Sequence, residues 1–145
     1  STLSTHHDQG IRRSNLEIEK FASRPDFSIL IYPVVTMKQP YVHMGSRKSL
    51  IGKVPSNEIV EYFSNEMQVK ADTPPAILIH SDNDLGVLVE NSVNYYLALR
   101  KHKIPAALHV WEDGGHGYGL AKGKGSIKDW PNICQNWMIQ RKLIN

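Results

Sequence analysis

The chain has 145 residues, of which 41% are hydrophobic and 21% charged, with Gly 10, Pro 8 and a formal net charge of +3. That balance is ordinary for one globular domain and excludes a disordered tail, a collagen-like repeat and a disulfide scaffold. Basic residues are scattered rather than striped, so no nucleic-acid partner is implied, and no run approaches the ~20 apolar residues of a membrane span.

In chain order, Ser1 to His7 reads as the last turns of a helix that ends before Gly10. The opening shows no cationic-then-apolar signal pattern, and the chain is expected to be the tail of a longer polypeptide. Phe27 to Val35 is a continuous β-favouring run after the breaker Arg24-Pro25-Asp26. A stretch of about twenty residues, Thr36 to Pro55, follows, long enough for function to be suspected on length alone. It holds Tyr41, His43 and Met44, beside Gly45. Ser56 is a plausible N-cap, with Glu58 in the first turn and Ile59, Val60 and Phe63 as the apolar face.

A second strand, Ala76 to His80, follows Thr73-Pro74-Pro75 and ends in Ser81-Asp82-Asn83-Asp84. Val89 to His102 is helical, with Val89, Val93, Tyr96 and Leu97 on one stripe and cations at its C-terminal end. Ala106 to Trp111 partly alternates and reads as an edge strand; Gly114-Gly115-His116-Gly117-Tyr118-Gly119 comes after it. Lys122 to Ser126 reads as a surface loop. The last helix starts at Asp129 or Trp130, with Pro131 in its first turn and Ile133, Trp137 and Leu143 towards one side. Strands alternating with helices predict an α/β fold: about three parallel strands joined by crossovers and covered by helices.

In such a sheet, ligands sit at the carboxyl ends of the strands. Three segments occupy that place: the Thr36–Pro55 stretch, the Asp82/Asp84 loop and the glycine-flanked His116. Imidazole suits proton transfer near neutral pH, and a carboxylate on the adjoining loop can fix its tautomer. One of Asp82 and Asp84 would take that part, leaving the other as a turn or cap residue. A bland turn carrying a solvent histidine competes with this reading. A metal site built from His80, Asp82, Asp84 and His116 is a minor alternative, because one short Asp pair lacks a third carboxylate in register. The single Cys134 cannot form an internal disulfide.

The run His80-Ser-Asp-Asn-Asp84-Leu-Gly-Val87-Leu-Val-Glu-Asn-Ser92, followed by Gly-Gly-His116-Gly-Tyr-Gly-Leu120, resembles the C-terminal half of α/β-hydrolase esterases. The likeness is to bacterial acetyl xylan esterase-like and feruloyl esterase-like enzymes. Phe27–Val35, Gly45-Ser46…Leu50-Ile-Gly52, Ala71-Asp-Thr-Pro-Pro75 and Asp129-Trp-Pro…Trp137 fit as well. In that family the acid lies in D-x-x-V-P and the base in G-G-H-G-[FY]. The resemblance therefore implies Asp84 as acid and His116 as base, with Leu88 standing where the family has proline. It also implies serine acyl-enzyme chemistry on an ester of a small molecule or oligosaccharide such as acetylated xylan, with no metal or organic cofactor. Tyr41, His43, Met44 and Tyr118 are the expected pocket residues.

The family's G-x-S-x-G nucleophile elbow does not occur within these 145 residues. The expectation is thus a C-terminal portion of one hydrolase domain that supplies acid and base, nearly inactive alone. Its first strand would have an unpaired edge, open to self-association or a companion chain. The competing class is a non-catalytic α/β module that binds carbohydrate or a protein partner. Localisation is not readable from the sequence.

Overall fold

The computed structural model describes residues 1–7 and 23–145. After α1 (Thr2–Thr5) come β1 (Ser28–Ile31), α2 (Met44–Ile51), α3 (Asn57–Tyr62), β2 (Ala76–Ser81), α4 (Glu90–Lys101), β3 (Ala106–Trp111) and α5 (Trp130–Gln140). The strands form one parallel sheet in the order β1-β2-β3, with Leu30, Leu78 and Leu108 in one row. Gly10, the expected limit of the first helix, lies outside the described residues.

β2 is buried along its whole length because its side chains alternate into two cores. Ala76 and Leu78 pack with Val35, Val69, Tyr95, Leu99 and Ile104. Ile77 and Ile79 pack with Tyr118, Ala121, Ile127, Cys134 and Trp137. One core therefore lies under α4 and the other under α5. Burial pushes the Cys134 thiol up to about 11, so it serves as packing rather than as a nucleophile.

Three differences from the sequence reading have physical causes. β1 stops at Ile31 instead of reaching Val35, because Tyr32 turns to φ 39° and Pro33 has no N–H for the ladder. The Thr36–Pro55 stretch is not all loop, since α2 occupies its middle. His43 caps that helix, its Nδ1 accepting from the Ser46 backbone N–H. The buried face of α4 is Asn91, Ser92, Tyr95 and Leu99, turned away from the expected stripe, and Leu97 is exposed. Asn91 and Ser92 are buried there because their polar atoms have partners within the fold. Ser56 does cap α3, accepting from Ile59 N–H, but of the expected face only Val60 is buried.

Candidate active site

β2 delivers a carboxylate to the end of the sheet. The Ser81-Asp82-Asn83-Asp84 turn folds back so that the Asp84 side chain is fully buried while Asp82 is exposed. Asp84 Oδ1 accepts from the backbone N–H groups of Gly86 (2.9 Å) and Val87 (2.8 Å). Oδ2 accepts from His116 Nδ1 at 2.8 Å and lies 3.3 Å from His80 Nε2. Burial by itself raises such a carboxyl. The Val87 N–H, the His116 ring and the Gly86 N–H outweigh that and hold it below its ordinary value.

His116 arrives from the loop after β3 with its side chain 43% exposed. Because a carboxylate only accepts, Nδ1 carries the hydrogen in the Asp84 contact. In the neutral ring this leaves Nε2 as the basic nitrogen. The loop is pinned from below by groups the sequence did not single out. Asn83 Oδ1 accepts from the N–H groups of Gly114 (3.1 Å) and Gly115 (2.8 Å), and its Nδ2 donates to Asp113. Ser81 Oγ donates to the Gly115 carbonyl at 2.6 Å. The ring of Tyr32 stands edge-on to His116 at 4.8 Å and to Tyr118 at 4.7 Å. A Tyr-Pro pair ending a strand run is the available signal for Tyr32, and a polar Asn-Ser pair within an amphipathic helix is that for Asn91.

Asn91 joins α4 to the stretch of chain that follows β1. Its Oδ1 accepts from the Val35 and Thr36 N–H groups, and its Nδ2 donates to the carbonyls of Tyr41 and Leu88. Tyr41 is thereby held through its backbone. His43 is occupied as the cap of α2, and Met44 is exposed at the rim of a cavity of about 340 Å3 with Arg47 and Lys53. Tyr118 is buried in the α5-side core, and burial raises its hydroxyl pKa well above the usual value. So Asp84 and His116 come together, Tyr118 lies beside them through Tyr32, and Tyr41, His43 and Met44 make their described contacts elsewhere. No group of three or more His, Cys, Asp or Glu side chains among the described residues is placed to hold a metal ion.

The arrangement can hold a proton on Nδ1, receive one on Nε2 and stabilise the resulting imidazolium through a buried carboxylate. Those are the chemical capacities that general acid–base work asks of an imidazole–carboxylate pair.

Comparison with known proteins places these features in a family. The model of the family described as "Prolyl oligopeptidase family" matches residues 28–141. Endo-1,4-beta-xylanase B of Butyrivibrio fibrisolvens is 41% identical over 120 residues, covering 83% of this chain and 19% of that protein. The acetylxylan esterase of Xylanibacter ruminicola is 34% identical over 101 residues, covering 67% of this chain and 21% of its own. The solved structure of an acetyl ester-xyloside bifunctional hydrolase from Caldicellulosiruptor lactoaceticus superposes with TM-score 0.94 at 35% identity, covering 99% of this chain and 53% of that one. A carboxylesterase from Lactobacillus plantarum shares the fold at TM-score 0.76 and 18% identity. The chain thus spans about a fifth of the curated relatives it matches and about half of the similar solved chain.

Proposed function

The chain belongs to the prolyl oligopeptidase family, an α/β-hydrolase family, and on that premise we propose that the protein containing it is a carboxylic ester hydrolase acting through a serine acyl-enzyme. His116 Nε2 takes the proton of the attacking serine and returns it to the leaving alcohol. Asp84 keeps the hydrogen on Nδ1 and stabilises the imidazolium while it lasts. The observation that carries the reading is the 2.8 Å contact between His116 Nδ1 and a fully buried Asp84 carboxylate at the carboxyl ends of adjacent parallel strands.

Within the 145 residues no G-x-S-x-G elbow occurs, so this reading takes the nucleophile and oxyanion donors from sequence outside them. The 145 residues are then the C-terminal portion of one hydrolase domain. The same outside segment, or failing it a companion chain or a second copy, would pair with β1. Among the described residues β1 pairs with β2 alone. Xylan-related names among the relatives favour an acetylated plant polysaccharide as the substrate. Tyr41, His43, Met44 and Tyr118 remain the proposed pocket residues, with α2 as part of the wall.

The test is turnover of p-nitrophenyl acetate and acetate release from acetylated xylan by the full-length protein. His116→Ala is expected to lower kcat by about 10⁴- to 10⁶-fold and Asp84→Asn by about 10⁴-fold. The 145-residue chain alone should give no burst with a serine-reactive phosphonate. Undiminished turnover in His116→Ala, or binding of xylan with no hydrolysis at all, overturns the assignment in favour of a binding module.

A further inference from the structure

His80 is a buried titratable side chain that the acyl-transfer chemistry above does not use. It sits one residue before the end of β2 with no exposed surface, on the α4 side of the sheet. Its Nε2 lies 2.9 Å from the Val87 carbonyl and 3.3 Å from Asp84 Oδ2, and its Nδ1 lies 2.7 Å from Ser92 Oγ. A carbonyl and a carboxylate can only accept, so Nε2 must carry the ring hydrogen. Nδ1 of the neutral ring must then accept, and Ser92 donates to it. Burial also pushes the imidazole below its ordinary value, against the pull of Val87 and Asp84, which keeps it neutral. Its tautomer is therefore dictated by its surroundings.

The consequence lies in the main chain of Val87. Its carbonyl is held by His80 and its N–H is held by Asp84 Oδ1. His80, the Val87 main chain and the carboxylate form a circuit of contacts between the sheet and the acid loop. A carboxylate turns freely about its terminal bond unless both oxygens are engaged. Here Oδ1 is fixed by two backbone N–H groups, and Oδ2 is left between the two imidazoles. An aliphatic side chain would fill the same volume. It would release the Val87 carbonyl and leave the Ser92 hydroxyl without its acceptor.

We infer that His80 is a positioning residue for the Asp84–His116 pair, seating the carboxylate through the Val87 main chain, with its ring Nε2 3.3 Å from Oδ2. The inference rests on the esterase reading, and the experiment separates the two. In the full-length protein, His80→Leu is expected to lower kcat for p-nitrophenyl acetate about 10- to 100-fold, the scale of a small misplacement of a catalytic group, with KM little changed. His80→Gln, whose amide can still donate to the Val87 carbonyl, restores most of that loss.

In an Asp84→Asn background the cost of His80→Leu should vanish, because the two residues act as one unit. Equal losses in both backgrounds would mean a purely structural histidine and overturn the inference. If Asp84→Asn alone leaves kcat unchanged, it is the esterase reading that falls. The positioning role is then decided by whether His80→Leu displaces the proton resonance of His116 Nδ1–H, an unmoved resonance rejecting it. Should His80→Leu not fold, Ser92→Ala replaces it in the same cycle, with the same non-additivity expected and additivity again overturning the inference.

Discussion

Asp84 keeps its charge with no solvent contact, supported by N–H groups from Gly86, Val87 and His116. Its folded-state pKa lies below the unfolded value of about 3.9, so the stability it contributes is fully present above that pH. As pH falls through the lower folded value, that contribution is lost. His80 is a base held neutral by burial, with a folded value below the unfolded value of about 6.5. Below about pH 6.5 the unfolded chain takes up a proton that the folded chain refuses, so stability declines there too. Urea midpoints should therefore hold steady from pH 8 to 7, fall through about 6.5, and fall again below about 4. His80→Gln should abolish the first decline and keep the second. A midpoint flat down to pH 5 in the unsubstituted protein would contradict the neutral assignment of His80.

At the level of elements, the base loop depends on close approach as much as on hydrogen bonds. A Cβ on Gly114 would run into the Ile127 side chain and stand 2.9 Å from Ser81 Oγ, the group that holds the Gly115 carbonyl. At Gly117 the surrounding space is open, and only its φ of +69° is demanding. Gly114→Ala should cost about 1–3 kcal/mol by overpacking and disturb His116, whereas Gly117→Ala should cost about 1–2 kcal/mol by backbone strain alone. Paired thermal melts and kcat values distinguish them: equal kcat losses would show that the Ser81 contact does not govern the loop.

Asn91 binds a different pair of elements. Replacing it by Leu leaves the buried Val35 and Thr36 N–H groups without their acceptor, about 1–3 kcal/mol each, so a loss of roughly 2–6 kcal/mol is expected in urea unfolding. These cases also mark what was legible beforehand. The three strands, the two end loops and a glycine-flanked His116 facing an Asp82/Asp84 loop could be read from apolar runs and breakers, while Asp84 rather than Asp82 was singled out only by the resemblance to the esterases. α2 could not, because it buries no residue and its sequence has almost no apolar periodicity. The polar face of α4 was missed for the opposite reason. Periodicity weighs apolar residues, and Asn91 and Ser92 are buried for their hydrogen bonds.

Across the whole molecule, protection should be uneven along the sheet. β2 is buried on both faces and bonded on both sides, whereas every residue of β1 is only half-buried. Along β1 the N–H groups of Ser28 and Tyr32 donate to the carbonyls of Pro75 and Ile79. Strand alternation therefore turns the N–H groups of Ile29 and Ile31 away from β2, towards the outer edge. Hydrogen exchange of the 145-residue chain should be slowest in Ala76–Ser81 and fast at Ile29 and Ile31, whose opening needs no global unfolding. In the full-length protein those two amides should become protected, because the proposed single hydrolase domain supplies a strand beside β1. Protection that appears instead in the short chain and grows with its concentration would point to edge pairing between copies. Unprotected Ile29 and Ile31 in the full-length protein would reject a continuous sheet across β1, and with it the proposal that these residues are one portion of a larger hydrolase domain.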